Sequence, residues 1–546
     1  MKIKISQETN LIDQLIAEQQ LLTAVERFAQ KHEQSDFHIQ SRYYEDLIPL
    51  SKPEKGQQYA FAVDLDRCTG CKACVSACHS LNGLEVDETW RDTGLLVGSE
   101  LDAAYHQTVT TACHHCLEPG CLEGCPVKAY EKDEETGIVR HLDDQCIGCQ
   151  YCTMKCPYDV PKYSKKLGIV RKCDMCHERL AVGEAPACVQ ACPHEAITIK
   201  IVEVSGTLAQ SSPGSQILPG AYDSSYTKPT TRYHSAKPIP ANAHAADQMA
   251  LHLEHAHWPL LIMLVLSQCA VGLSLILAAI PMASSFFAAT ALPLAGVGFL
   301  LLNIGLIAAA FHLGRPLGAW RFFLGLGTSW MSREILAFSV YAGASSAVVG
   351  LLLLGNSFVR GFIPVKIMAL ISLLPISAMT QGAIVVSALL GVVAVFTSAM
   401  IYIDTHRSLW RSSQTLPRFY LATLGLGSGA ALLLVSLAHQ SITLLLGTTL
   451  ALLTLSTFWE LRNLLQARHD AEHPDHLSAL TIDRLMPWYQ PARVALYAIC
   501  LLFLLGALPM PVLLIPAFLL QLAGQLLERY AFFSSVIPLR MPRGIS

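Results

Sequence analysis

The chain has 546 residues, 52% of them hydrophobic and 18 of them cysteine, which excludes both a single small domain and an ordinary soluble protein. Its formal net charge of −3 offers no basic surface for nucleic acid. The apolarity begins at Trp258, so residues 1–250 read as soluble and the remainder as membrane-embedded.

Residues 1–34 carry Leu11, Leu15, Leu22, Val25 and Ala29 near one helical face, with Asn10 as a candidate cap. Residues 1–57 therefore read as an N-terminal helical extension, packed on its own domain or docking a partner. Met1 to Glu18 hold neither an apolar signal core nor a twin arginine, so no export signal is expected.

Residues 58–202 are organised by sixteen cysteines in four groups of four. Cys68, Cys71, Cys74 and Cys78 are spaced C-x2-C-x2-C-x3-C, and Cys146, Cys149, Cys152 and Cys156 repeat that spacing. Cys113, Cys116, Cys121 and Cys125 follow C-x2-C-x4-C-x3-C, and Cys173, Cys176, Cys188 and Cys192 follow C-x2-C-x11-C-x3-C. Pro126, Pro157 and Pro193 follow the last cysteine of three groups, whereas His79 follows Cys78. Three close thiolates wrap one face of an iron–sulfur cube, and in two-cluster ferredoxins the fourth cysteine ligates the other cluster. Sixteen ligands at four per cluster give four [4Fe–4S] centres. Zinc also takes paired C-x2-C motifs, but rarely four cysteines within eleven residues. A disulfide framework needs an oxidising compartment. The spacing shared by groups one and three suggests duplication, and strands are expected over 58–67, 137–141 and 196–202. The insert from Ser80 to Ala112 reads as a surface element facing an electron donor or acceptor. The basic residues Arg67, Lys72, Lys155, Arg171 and Lys172 beside the cysteines either raise cluster potentials or form a solvated docking face. Gly, Ser, Pro and Thr clusters make 203–250 an irregular linker or wrapping arm.

Residues 251–546 hold apolar runs at about 258–280, 289–311, 335–354, 383–402, 419–438, 442–458, 494–510 and 511–527, long enough for eight spanning helices. Ile363 to Met379, with Lys366, Pro364 and Pro375, reads as re-entrant or interfacial. With this count thirteen arginines, from Arg315 to Arg543, fall on the cysteine-domain side, against Arg360 and Lys366 opposite. The positive-inside rule puts the clusters in the cytoplasm, on a multi-pass protein of the cytoplasmic (inner) membrane. The fold class is an α+β doubled ferredoxin-like domain followed by an all-α eight-helix transmembrane domain.

The cysteine groups resemble the four-cluster electron-transfer subunit of the dimethyl sulfoxide reductase family of molybdoenzymes, and the membrane half resembles that family's eight-helix anchor. The matching residues are His257-Trp-Pro-Leu with Gln268-Cys, His312-Leu-Gly-Arg-Pro-Leu, Ser332-Arg-Glu-Ile, Ser398-Ala-Met-Ile-Tyr and Ala523-Gly-Gln. The likeness covers about residues 58 to 530, so the chain looks like a fusion of two subunits. It implies pairing of Cys68, Cys71 and Cys74 with Cys192, and of Cys173, Cys176 and Cys188 with Cys78. It likewise implies Cys113, Cys116 and Cys121 with Cys156, and Cys146, Cys149 and Cys152 with Cys125.

Intramembrane polar groups are costly and usually functional. His312, ending helix two, and Glu334, opening helix three, are the candidate site for menaquinol or ubiquinol; the resemblance also favours His312. The plainer readings are a snorkelling histidine and a carboxylate at a helix start. No haem is expected, because only His312 and His439 lie on helices, at opposite ends. Cys269 and Cys500 read as packing residues. No pterin-binding domain fits in the chain. The expected role is thus a non-catalytic subunit of an oxidoreductase, passing electrons from the quinone pool to a separate molybdopterin catalytic subunit. That partner would reduce an acceptor such as dimethyl sulfoxide. The alternative runs the module in reverse, reducing quinone with electrons from a molybdoenzyme such as a cytoplasmic sulfite dehydrogenase.

Overall fold

The computed structural model describes residues 11–12, 26–27, 30–31, 34–35, 40–100, 103–356, 359, 361–362 and 373–543. The helix expected over 1–34 lies largely outside the described residues. So does 363–372, most of the stretch read as re-entrant; Ile376 to Met379 form the first turn of the fourth spanning helix.

The N-terminal half is built on small sheets that carry the cysteine loops. β1 (Gln57–Asp64) is the middle strand of a three-stranded sheet, antiparallel to β8 (Ile197–Glu203) and parallel to β9 (Arg232–His234). Flanked on both edges, it buries Tyr59, Ala60, Phe61 and Val63. The register Val63↔Ile197 sets group one beside group four, because one leaves β1 where the other enters β8. Groups two and three are each followed by a short hairpin: β4 (Tyr130–Lys132) with β5 (Val139–His141), and β6 (Lys162–Ser164) with β7 (Ile169–Arg171).

The insert after group one is not a surface element. It forms the hairpin β2 (Asp92–Glu100) and β3 (Ala103–Thr111), extended by β10 (His244–Ala245). Leu96 and Val109 are wholly buried in it, and Arg91 and Glu88 are buried at its base. The segment 203–250 wraps back over the domain, supplying both β9 and β10 and the backbone bonds Leu117 N→Lys228 O (2.9 Å) and Glu118 N→Thr227 O (3.1 Å).

Among the described residues eight helices are long and apolar enough to span a membrane: Trp258–Ala279, Ser285–Ala310, Trp330–Gly355, Ile376–Ile403, Ser412–Leu437, Thr443–His469, Tyr489–Gly506 and Pro511–Ser534. Each is called below by its place in this order. The third begins five residues before the apolar run does, since Trp330 to Glu334 continue its buried face. A further helix, His476–Leu485, lies between the sixth and seventh. Glycine sets the crossing of the first and fifth helices: a Cβ on Gly272 or Gly427 would strike the other's backbone.

The two halves share one apolar core, which runs from Cys125, Ile147 and Tyr151 to Leu261, Met331 and Trp410. The segment between the second and third spanning helices lies on the loop of group three. Gly314 sits against Gly168 and Gly148 so closely that a Cβ on it or on Gly148 would run into the Gly168 carbonyl. Arg315 N donates to Ile147 O (3.0 Å) and Ser329 Oγ to Gly124 O (2.8 Å). At the end of the fourth helix, Asp404 accepts from Lys155 Nζ (2.8 Å) and Tyr151 Oη (3.1 Å), both on the group-three helix. After the eighth helix the tail returns: Arg540 pairs with Asp247 at 2.9 Å, and Arg543 with Asp159 and Asp92.

Lys155 has only 4% of its side chain exposed, so removing its counter-ion leaves a buried ammonium uncompensated. Asp404→Ala is expected to destabilise the solubilised protein by about 3 kcal/mol, read as a lower thermal midpoint. Arg315→Ala, which loses a bond from an exposed guanidinium to Asp143 O, should cost at most about 1.5 kcal/mol.

Candidate metal-cluster sites and their contact with the membrane helices

The cysteine loops share a backbone device. In group one Gly70 and Lys72 take φ of 69° and 61°; in group three Gly148 and Gln150 take 70° and 60°. This left-handed turn makes Lys72 and Gln150 the N-caps of short helices that carry Cys74 and Cys152. A second device follows the last cysteine of groups two, three and four. Lys128, Asp159 and Glu195, each three residues on, take φ of 54°, 54° and 52°. The turn brings the next amide back to the sulfur: Ala129 N donates to Cys125 Sγ and Ala196 N to Cys192 Sγ, both at 3.2 Å. The proline after the cysteine pre-sets φ for this turn. His79 has no such task, because Cys78 lies inside a helix that runs to Leu81. There the side-chain amide of Asn82 approaches Cys78 Sγ at 3.6 Å.

All eighteen cysteines are free, which sets the disulfide framework aside. One cavity is lined by Cys68, Cys71, Cys74 and Cys192, and another by Cys113, Cys116, Cys121 and Cys156. Cys78 lies within electrostatic reach of Cys176 and Cys188, and Cys125 of Cys146 and Cys149. Burial pushes the thiols of Cys78 and Cys156 up to about 12 and about 11, so a metal must displace their protons on binding. Soft sulfur donors around a cavity, with amides directed at the sulfurs, fit an iron–sulfur cluster. Among the described residues no three Cys, His, Asp or Glu side chains converge on a point that would hold a single ion.

His312 lies just beyond the second spanning helix, which ends at Ala310. Its Nδ1 is bonded to Ala309 O, and its Nε2 is buried without a partner. Burial pushes its pKa below the usual histidine value, against the opposing bond to Ala309. His257, which caps the first spanning helix, is within electrostatic reach of His312. Glu334 does not open its helix. It stands in the second turn, 8% exposed, with Ser398 and Tyr402 of the fourth helix and Tyr151 of group three around it. No hydrogen bond joins His312 to Glu334, but the segment between them is the one pressed onto group three. Gln268 Nε2 and Ser332 Oγ are likewise buried and unpartnered, whereas Ser398 lies within hydrogen-bonding reach of Glu334. Cys269 and Cys500 are buried packing residues. His439 lies beyond the end of the fifth spanning helix, in a left-handed conformation.

Sequence reasoning missed several residues. Asp404, Tyr151 and Arg91 gave no local signal. Glu460 with Arg493, and Glu528 with Arg529, pair inside the bundle; from sequence the two arginines counted only toward the arginine-rich side.

These features define a membrane-anchored iron–sulfur electron-transfer protein. Residues 251–534 match the family described as DMSO reductase anchor subunit (DmsC), residues 104–201 a 4Fe-4S dicluster domain and residues 59–80 a 4Fe-4S binding domain. The probable anaerobic dimethyl sulfoxide reductase chain YnfG of Escherichia coli (strain K12) is 39% identical over 184 residues, 32% of this chain and 86% of that one. One polypeptide of the anaerobic dimethyl sulfoxide reductase of Haemophilus influenzae is 39% identical over 150 residues, 26% of this chain and 73% of the relative. The hydrogenase-2 operon protein HybA of Escherichia coli O157:H7 is 35% identical over 160 residues, 24% of this chain and 49% of the relative. The protein belongs to the dimethyl sulfoxide reductase iron–sulfur and anchor subunit family, with both subunits fused in one polypeptide.

Hydrogen bonds to cluster sulfurs raise reduction potential. Asn82→Ala is therefore expected to lower the potential of the centre that contains Cys78 while leaving its spectrum present. Potentiometric electron paramagnetic resonance on the purified protein measures it.

Proposed function

We propose that this chain oxidises membrane quinol and delivers the electrons to a separate molybdopterin catalytic subunit, which reduces a terminal acceptor such as dimethyl sulfoxide. Sixteen cysteines would hold four [4Fe–4S] clusters, which when bound supply one-electron carriage. The two cavities, each lined by three cysteines of one group and the last of another, support Cys68, Cys71 and Cys74 with Cys192, and Cys113, Cys116 and Cys121 with Cys156. The electrostatic neighbours of Cys78 and Cys125 support Cys173, Cys176 and Cys188 with Cys78, and Cys146, Cys149 and Cys152 with Cys125. Cys71 is the one exposed cysteine of the protein, so group one is the natural exit toward the partner.

One observation carries the quinol reading. The segment that runs from His312 to the third spanning helix is docked on Ile147, Gly148 and Cys125 of the membrane-side cysteine quartet. His312 Nε2, buried and without a bond, would take the proton of a quinol hydroxyl. Glu334, buried one turn into the third helix, is the second acceptor. Menaquinol and ubiquinol both fit this chemistry. The arginine-rich helix ends are those that meet the iron–sulfur domain, as Arg315 with Asp143 and Arg321 with Asp144 show. The positive-inside rule then sets that domain on the cytoplasmic side of the inner membrane.

His312→Ala should slow quinol-driven cluster reduction at least 100-fold while dithionite still reduces every centre; unchanged quinol kinetics would overturn the site. Because burial lowers the pKa of His312, it stays unprotonated below the ordinary value of about 6.5. The acid limb of the pH–rate profile should thus lie below that value. For the cluster wiring, Cys192→Ser should alter the same resonance as Cys71→Ser and a different one from Cys176→Ser. Co-purification with molybdenum assayed in the same sample tests the partner.

A further inference from the structure

Two cations lie where water does not reach, each at a seam between cysteine quartets. Arg91, at the base of the β2–β3 hairpin, is 2% exposed. Its guanidinium lies over the Phe61 ring at 4.6 Å, and Nη1 donates to Thr110 Oγ1 at 3.2 Å. That hydroxyl is itself 3.5 Å from Cys74 Sγ. Around Arg91 stand Cys74 of the first quartet and Cys78, Cys173 and Cys188 of the next. Its Nε and Nη2 are buried without an oxygen or nitrogen acceptor, and the guanidinium lies within hydrogen-bonding reach of Cys188. Lys172 is also 2% exposed. Its Nζ donates to Cys173 O at 2.8 Å, to Val139 O, and toward Cys113 Sγ at 3.6 Å. Three acceptors for one nitrogen require the three N–H donors of an ammonium. Cys173 and Cys113 belong to different quartets, so Lys172 spans the second seam as Arg91 spans the first.

Neither cation has a carboxylate for itself. Glu88 is engaged by Arg171, and Asp174 holds His177 at 2.8 Å. A buried charge without a counter-ion is not sustained. The remaining negative charge nearby is that of the thiolates and of any cluster they bind. At the third seam the group is neutral: the buried Tyr130 hydroxyl stands among Cys121, Cys125 and Cys152, within hydrogen-bonding reach of Cys152.

We propose that Arg91 and Lys172 are built-in counter-charges that raise the reduction potentials of the centres on both sides of the first two seams, drawing electrons away from the membrane-side centre. The physical reason is direct. Reduction adds a negative charge to a cluster, and a fixed cation in a medium of low dielectric favours that form. A cation at a seam acts on two centres at once, whereas one at the surface is screened by water. This rests on the four-cluster reading above.

The test is potentiometric electron paramagnetic resonance on the whole purified protein, with signals assigned through Cys71→Ser, Cys116→Ser, Cys149→Ser and Cys176→Ser. Arg91→Gln is expected to cut the reduced-to-oxidised ratio at fixed potential at least tenfold, a shift of about 59 mV for one electron. It should do so for the Cys71 and Cys176 centres, and Arg91→Lys should restore most of the loss. Lys172→Gln should do the same to the Cys116 and Cys176 centres, leaving the Cys149 centre unmoved. Glutamine variants with every signal present and wild-type potentials would overturn the proposal. Should a glutamine variant assemble no centres, Arg91→Lys and Lys172→Arg are read instead. They keep the charge, so unmoved potentials support the proposal and a tenfold fall overturns it. Fewer than four signals in the unaltered protein would sink the four-cluster reading itself, a result distinct from unmoved potentials.

Discussion

The structure depends on a contact that has no side chains in it. Gly148 and Gly168 of the iron–sulfur domain and Gly314 of the loop after the second spanning helix meet backbone to backbone. Any Cβ there would hold the halves apart by the width of a methyl group. Gly148 and Gly168 also take φ of 70° and 68°, which glycine adopts without penalty. One of these residues belongs to the cysteine loop itself, so the spacing of group three and the docking of the membrane domain are met by the same atoms. The polar bonds of Lys155, Tyr151 and Arg315 then fix the angle at which the halves meet.

Burial does two jobs at this junction. It keeps the Cys125 and Cys146 sulfurs away from water, leaving amides such as Ala129 N and Gly148 N as their hydrogen-bond donors. It also leaves polar atoms of the helix ends, His312 Nε2 and Ser332 Oγ among them, without partners. Buried polar atoms without partners are costly in a low dielectric. Their grouping beside the cysteine quartet nearest the bundle is what separates a candidate redox site from a plain anchor.

What could be read from sequence was what is local. Cysteine spacing is set locally by turns and short helices, so the four groups were legible, and β1, β5 and β8 with them; β4 and the β6–β7 hairpin, three residues to a strand, were too short to show. The odd His79 was legible as a departure, though its cause, a helix that continues past Cys78, was not. Spanning helices declare themselves by composition, yet their polar ends do not. The third helix starts at Trp330 because Met331 and Ser332 are buried by neighbours far away in the sequence. Glu334 was therefore placed one turn too near the surface. Arg91 was hidden for the same reason. Nothing within the insert says that Phe61 and the cysteines of two other loops will close over it.

Fusion gives these contacts their physical logic. The linker contributes β9 to the central sheet and β10 to the insert, and the C-terminal tail returns from the eighth helix to Asp92, Asp159 and Asp247. The membrane half is thus tied to the iron–sulfur half at both of its ends. A tether converts docking into an intramolecular event, so the interface needs less contact energy than one between separate polypeptides. That allows close glycine backbone contacts and a buried ion pair to stand within the apolar core that the halves share. Those parts bring the third cysteine loop close to the helix ends without bulky side chains between them. Bulkier side chains at these positions would hold the proposed quinol site and its nearest cysteine quartet further apart.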